Sequence, residues 1–169
     1  MQVLRCILLA VLALAGTGPR PMSDTTAAQS AATAFIARLY EEHSWETRRT
    51  SMRGKTPLFA APAAVLHRFF DAPLATAILA DRACEARTQG ECHLSFDPMW
   101  DSQDPGGVTV QIVPTRDSMV VQARLHYPYQ HETRVVTYRM RTTPAGVRIV
   151  DMSAPQWPSL LKLLQGPVR

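Results

Sequence analysis

The sequence predicts an α+β fold, in which N-terminal helices pack on one face of a curved, four-stranded antiparallel sheet. Two observations support this class. Apolar residues recur with the helical period of 3.6 up to about residue 88, and with the strand period of two from residue 108 onward. The predicted strands are joined by short connections, which makes neighbouring strands antiparallel, and helices segregated from strands are typical of α+β proteins.

Three helices are predicted in the first half. The first begins at Ser23 or Asp24 and ends near His43, and its last three residues are expected to face water. Residues 57–88 form two more helices. They are interrupted at residues 71–73, Asp-Ala-Pro, because proline lacks a backbone donor and restricts the residue before it.

A polar connector, residues 45–56, joins the first two helices and contains Arg48, Arg49, Arg53 and Lys55. We expect a solvated surface segment; the alternative is an anion-binding loop.

His67 lies beside two phenylalanines on the second predicted helix and is expected to be a half-buried core histidine rather than a catalytic base.

The second half alternates apolar and polar residues in four predicted strands. In the clearest strand, Val121 and Leu125 point to the core, while Arg124 and His126 point to the opposite face. Arg124 and His126 are therefore candidates to line a groove there, although ordinary solvent-facing roles are the simpler expectation. The predicted strands cover residues 108–112, 119–127, 135–141 and 147–152, followed by a short helix over residues 157–164.

Composition limits the class of protein. Lys and Arg number 18 and Asp and Glu 14, which gives a net charge of +4, and 46% of the residues are hydrophobic. This composition is globular and excludes wholesale disorder, collagen and coiled coil. Because the positive charge is scattered along the chain, no nucleic-acid partner is expected.

Residues 1–18 have the features of a secretory signal peptide. Arg5 gives a positive start, and residues 7–15 are apolar and end in an Ala-x-Ala cleavage pattern. This run is too short for a membrane span, which takes about 20 helical residues. Cys6 precedes the apolar run, unlike the cysteine of a lipid-anchored protein. We expect a periplasmic or secreted protein, with residues 19–169 forming one domain without stable membrane insertion.

Cleavage leaves two cysteines, Cys84 and Cys92, which we expect to form a disulfide in an oxidising compartment. The alternative, a metal site formed by both cysteines and His93, lacks the close cysteine pairs and the four ligands of structural zinc sites. No metal or cofactor is expected.

The densest polar cluster is residues 97–104, DPMWDSQD, which we call the motif loop. Its carboxylates suit turn and cap roles, and calcium binding and acid–base catalysis are the alternatives. In the first role the loop is a structural lock, so that Asp97→Asn and Asp104→Asn lower the melting temperature. The candidate binding residues in the loop are Asp97, Trp100, Asp101, Gln103 and Asp104.

The segment FDPMWDSQD, residues 96–104, resembles a signature of the exported bacterial family called domain of unknown function 3828. The resemblance also includes AFIARLYEEH in the first helix and the closing strand VRIVDM, and it covers about residues 30–165. It implies a small periplasmic protein with a cone-like α+β fold similar to that of nuclear transport factor 2. The family supplies no established catalytic residues, and this chain lacks the lipid-anchoring cysteine of some members.

Two classes of function are consistent with these observations. The first is a non-enzymatic binding or protein-interaction module of the cell envelope, with an envelope protein as its partner. The alternative is a small-molecule enzyme that uses the cavity of the fold. An enzyme needs an acid–base pair that converges in the cavity. The inward positions of the clearest strand hold no carboxylate, which favours binding without catalytic residues; they are Met119, Val121, Ala123, Leu125 and Tyr127.

Overall fold

The computed structural model describes residues 24–48 and 54–167. Three helices precede a four-stranded antiparallel sheet and a short C-terminal helix, which confirms the predicted α+β class. The signal peptide predicted over residues 1–18 lies outside the described residues. Within the described ranges, no helix is both long enough and apolar enough to cross a membrane.

The helices of the first half are α1 (Asp24–His43), α2 (Ala63–Phe69) and α3 (Ala72–Thr88). Helix α3 begins where the sequence predicts an interruption. The Asp71 carboxylate accepts the backbone N–H of Leu74 at 3.2 Å as the N-cap, and a proline occupies the first turn, where a missing donor costs nothing.

The sheet has the strand order β1-β2-β3-β4, and all neighbours are antiparallel. Strand β3 is longer than the predicted residues 135–141, because it pairs with β2 as far as Glu132 and with β4 as far as Thr143. The strands are β1 (Thr109–Pro114), β2 (Val120–Tyr127), β3 (Glu132–Thr143) and β4 (Gly146–Ser153).

Helix α4 spans Leu160–Gln165, so the predicted start at Trp157 is wrong. Trp157 instead forms an isolated bridge with Ala154. The helix begins after Ser159, whose hydroxyl accepts the backbone N–H of Lys162 at 3.1 Å.

Helices α1, α2 and α3 and the buried face of the sheet form one core. Ile36 and Leu39 of α1 are fully buried in it. The sheet contributes alternate residues of β2 and β3, as a sheet with one buried face requires, whereas in β4 a register shift separates the two buried residues by three positions. The buried residues of the sheet are Val121, Ala123, Leu125, Tyr127, Val136, Tyr138, Met140, Ile149 and Met152. Arg124 and His126 are exposed on the opposite face, as predicted.

The outer edge of β4 is partly covered by the link between α2 and α3. Phe70 forms an isolated parallel bridge with Ile149, and the N–H of Asp71 donates to the Ile149 carbonyl at 2.9 Å. The Asp71 carboxylate also lies 3.0 Å from the Arg141 guanidinium.

Cys84 and Cys92 form the predicted disulfide, with their Cα atoms 6.1 Å apart. The bond ties the end of α3 to the following loop. Next to it, buried Asp81 accepts both the backbone N–H and the Nδ1–H of His93 at 2.8 Å. The other ring nitrogen of His93 lies 3.0 Å from the Gly166 carbonyl, which joins this loop to the end of α4.

Candidate functional site

The motif loop folds into a compact turn. Asp97 and Ser102 close it through an isolated antiparallel bridge. The Asp97 carboxylate accepts the backbone N–H of Met99 at 2.8 Å, and the Asp104 carboxylate accepts that of Gly106 at 3.0 Å. Both carboxylates therefore accept the N–H of a residue two positions further along the chain, as Asp residues in turns commonly do.

Two apolar residues anchor the loop in the core, because Met99 and Trp100 are fully buried. Tyr40 of α1 donates its hydroxyl to the Met99 carbonyl at 2.7 Å, and Tyr127 of β2 donates to the Trp100 carbonyl. Burial raises the pKa of Tyr127 to about 12, which keeps this hydroxyl protonated as a donor. Helix α1 and the sheet thus hold the loop from both sides.

Glu46, which we expected in a solvated connector, is a buried acceptor next to the motif loop. Its side chain is only 5% exposed. One carboxylate oxygen accepts from Nδ1 of His43 at 2.7 Å and from the N–H of Leu58 at 3.1 Å. The other accepts from the Trp100 indole at 2.9 Å. Three donors from three segments satisfy one buried charge, as burial of a carboxylate requires.

The prediction that His43 faces water is wrong, since it is buried against the ring of Phe69 with the centroids 5.9 Å apart. The spacing of His43 and Glu46, three residues apart at the end of a helix, was the available signal for their contact. Their burial depends on Leu58 and Trp100, which are distant in sequence.

The surroundings of Asp97 shift the pKa of its carboxyl. Burial, and then the negative charge of Glu46, raise its pKa to about 7, although the backbone N–H groups of Met99 and Trp100 oppose the rise. The Asp97 carboxyl is therefore about half protonated at neutral pH.

Asp101 ties the motif loop to the segment before α4. It is 8% exposed, with a left-handed φ of 50°, and one carboxylate oxygen accepts from the Trp157 indole at 2.7 Å. The other oxygen has no hydrogen-bond partner among the described residues. Arg134 donates to the Asp101 backbone carbonyl.

Four of the seven candidate residues border one cleft of about 350 Å³, which we call the motif cleft. Asp101 does not line it. The residues of the motif cleft are Trp45, Glu46, Arg48, Pro57, Asp97, Trp100, Gln103, Asp104 and Pro105.

A second cleft, of about 460 Å³, shares Pro57 and Asp97 with the first and extends along α3; we call it the helical cleft. Its residues are Pro57, Phe59, Ala60, Ile78, Asp81, Arg82, Glu85, Ala86, Leu94, Phe96 and Asp97. Of its residues, only Asp97 was a candidate from the sequence.

Arg124 and His126 lie on the other side of the sheet and do not join the motif loop in one site. A groove of about 750 Å³, the sheet groove, crosses the outer face and includes Arg124. A neighbouring depression of about 390 Å³ contains Arg124 and His126 together. The sheet groove is lined by Gln122, Arg124, Thr133, Val135, Thr137, Ser153, Ala154, Pro155 and Pro158.

His67 is exposed on α2, so the expectation of a half-buried core histidine is wrong. The helix turns its other face, with Leu66 and Phe69, into the core.

The described ranges also show how the candidate metal ligands are arranged. No group of three or more His, Cys, Asp or Glu side chains there is arranged to hold a metal ion. The two cysteines that could have served as ligands are bonded to each other, and both ring nitrogens of His93 face protein oxygens.

Comparison with known proteins gave no assignment. A scan against models of known families found no match, and a search of curated proteins found none. The resemblance to domain of unknown function 3828 therefore stays a prediction from the motif loop and the element order.

Proposed function

We propose that the protein is an exported, non-enzymatic binding module of the cell envelope, and that its sheet groove receives an acidic segment of a partner protein. The observation that carries this proposal is the charge of the groove. Among the described residues that line it, Arg124 is the only charged one, and the neighbouring depression adds His126 and no carboxylate.

Arg124 is available to a partner. It is exposed, and its guanidinium makes no hydrogen bond or ion pair with any described residue. A guanidinium with five free donors is suited to bind carboxylates in a bidentate manner. The surrounding Thr and Gln side chains add neutral hydrogen-bonding groups, and Val135 adds apolar surface.

Export is the second part of the proposal. A disulfide and the lack of a membrane-spanning helix in the described ranges are compatible with an exported protein. N-terminal sequencing of protein from the envelope fraction is expected to begin between residues 16 and 22. An intact Met1, or protein found only in the cytoplasm, would contradict export.

The motif cleft supports catalysis less well than binding. Asp97 borders this cleft, and burial raises its pKa to about 7. Its neighbour Glu46 has both oxygens occupied by protein donors, so Glu46 is not free to act with Asp97 as an acid–base pair.

The binding proposal is tested by reversing the charge of the groove. Arg124→Glu is compared with Arg87→Glu, an exposed charge on α3 and therefore on the helical side of the molecule. The probe is a fluorescently labelled peptide of alternating Glu and Leu, measured by anisotropy at low salt. We expect wild type and Arg87→Glu to bind alike, and Arg124→Glu to weaken binding at least tenfold.

The same pair of variants identifies the natural partner. Cross-linking in envelope extract is expected to capture, with wild type and Arg87→Glu, a protein whose cross-linked peptide is acidic, and to lose it with Arg124→Glu. A partner retained by Arg124→Glu, or peptide binding that does not depend on Arg124, would refute the sheet groove as the binding surface.

A further inference from the structure

The helical cleft has the size and lining of a small-molecule site. Its volume of about 460 Å³ falls within the range of about 300–1,000 Å³ that is typical of ligand pockets. Large apolar side chains form much of its wall, with a few polar groups among them. The helical cleft lies on the helical side of the molecule and shares no lining residue with the sheet groove.

The apolar wall is fixed in position. The ring of Phe59 packs against Phe70 with the centroids 5.7 Å apart, and the ring of Phe96 packs against Trp157 at the same separation. Three apolar side chains of this wall are half-buried, namely Phe59, Leu94 and Phe96. These contacts leave apolar surface at the cleft that does not need to rearrange to receive a ligand.

The charged side chains of the cleft differ in how many hydrogen bonds they form with the rest of the protein. Asp81 accepts two donors from His93, and Arg82 donates to the Ala61 carbonyl at 2.5 Å. The backbone carbonyl of Glu85 accepts the N–H of Gln89 at 2.8 Å, but its carboxylate has no hydrogen bond or ion pair with any described residue. The Glu85 carboxylate is thus a charged group of the cleft without a hydrogen-bonding partner among the described residues.

The pKa values agree with this distribution of charge. Burial, and then the negative charge of Asp81, raise the pKa of Glu85, although Arg82 opposes the rise. The pKa of Asp97, at the other end of the wall, is raised mainly by burial. Neither carboxylate forms an ion pair with a described residue, and a bound cation would supply one.

We infer that the helical cleft binds a small organic cation, a molecule with an apolar body that packs on Phe59 and Phe96 and an ammonium group that pairs with Glu85 or Asp97. The disulfide and the contact between Asp81 and His93 hold α3 against the following loop and so maintain the two walls at a fixed separation.

Three probes with one apolar body and different charge test this inference. Phenethylamine is a cation at pH 8, 2-phenylethanol is neutral and 3-phenylpropionate is an anion. Titration of the 15N-labelled full chain, followed by amide NMR, is expected to shift signals of α3 and of the loop containing residues 94–97. We expect a Kd for phenethylamine at least tenfold below those of the other two probes.

Two matched variants on α3 locate the site without disturbing the core. Ala86→Lys places an ammonium at the wall of the cleft, whereas Ala83→Lys places it at an exposed position of the same helix that does not line the cleft. Phenethylamine binding is expected to be lost in Ala86→Lys and kept in Ala83→Lys, and Glu85→Gln is expected to raise the Kd at least threefold.

Several outcomes would overturn the inference. They are no binding of phenethylamine, equal binding of the neutral probe, or shifted signals elsewhere in the chain. Preference for the anionic probe would show that Arg82 determines the charge of the site. Unchanged binding in Ala86→Lys would also refute it. None of these outcomes depends on Arg124, so failure here and failure of the sheet groove are distinguishable.

Discussion

Replacing Asp97 by Asn is expected to stabilise the protein strongly at pH 8 and by only about 1 kcal/mol at pH 4.5, since the stability difference disappears only below the unfolded pKa of 3.8. The sequence alone predicts a lower melting temperature, because the carboxylate would be lost as an acceptor. In the structure, however, one Asp97 oxygen accepts the N–H of Met99 at 2.8 Å, and an asparagine carbonyl oxygen at the same place accepts it too. What Asn removes is a charge near Glu46 that burial disfavours.

The magnitude is set by the pKa of Asp97. Its carboxyl ionises near 3.8 when fully solvated and near 7 in the folded protein. Between these values the folded state holds a proton that the unfolded state has released, so the free energy of unfolding falls as pH rises through this window. Each pKa unit is worth about 1.36 kcal/mol, which gives a ceiling of about 4 kcal/mol. We therefore expect Asp97→Asn to gain about 2–4 kcal/mol at pH 8.

Urea unfolding at pH 4.5, 6 and 8 measures the effect. Other groups also titrate, but the difference between wild type and Asp97→Asn isolates this carboxyl. Glu41→Gln, which changes an exposed carboxylate on α1, is the control and is expected to stay within about 0.5 kcal/mol of wild type. If Asp97→Asn is less stable than wild type at pH 8, or if its difference from wild type does not change with pH, the reasoning fails and the carboxylate acts as a charge-assisted acceptor.

Three further predictions concern the contacts around this site. Replacing Cys84 and Cys92 together by Ala is expected to lower the free energy of unfolding by about 2–3 kcal/mol in urea melts without abolishing the fold, because the closed loop is short. His93→Ala is expected to lower the free energy of unfolding mainly at low pH. The hydrogen bond to Asp81, and then the backbone carbonyl at the end of α4, raise the pKa of His93, so its contribution to stability is full below about pH 6.5 and is lost as pH rises through the raised pKa. Urea melts from pH 5 to 9 test this, and a stability difference from wild type that widens with pH would contradict it. Glu46→Gln is expected to lower the free energy of unfolding by about 2–3 kcal/mol, because it disrupts charge-assisted hydrogen bonds. It is also expected to lower the pKa of Asp97, which a 13C NMR titration measures. An unchanged pKa of Asp97 would show that burial alone raises it.

Local chemistry explains why much of the fold could be predicted. The break between α2 and α3 could be predicted because Asp71, followed by Ala and Pro, is typical of a residue that caps the start of a helix. The side of the sheet on which Arg124 lies could be predicted because side chains alternate between the two faces of a strand. The start of α4 could not be predicted, because apolar Trp157 fits a helical pattern equally well. In the structure Trp157 forms a bridge with Ala154 instead.

The site was less predictable, because it is assembled from segments distant in sequence. Glu46 looks like a solvated residue in a polar connector, and only its contacts with Leu58 and Trp100 bring it into the interior. Glu85 looks like an ordinary helical surface residue until the loop containing Leu94 folds over its helix. Periodicity reports which face of an element is apolar, but it does not report which elements meet.

The link between α2 and α3, which partly covers the edge of β4, has a consequence for how copies of this chain could aggregate. An exposed strand edge is a template on which another chain can add a strand and begin an aggregate. At β4 the Ile149 carbonyl already accepts the N–H of Asp71, so an incoming strand has to displace the link between two helices. Growth of the sheet is thereby directed to β1, where Pro114 offers no N–H to a neighbour. Aggregation seeded by this sheet is therefore expected to proceed in one direction, through the part of β1 that precedes Pro114.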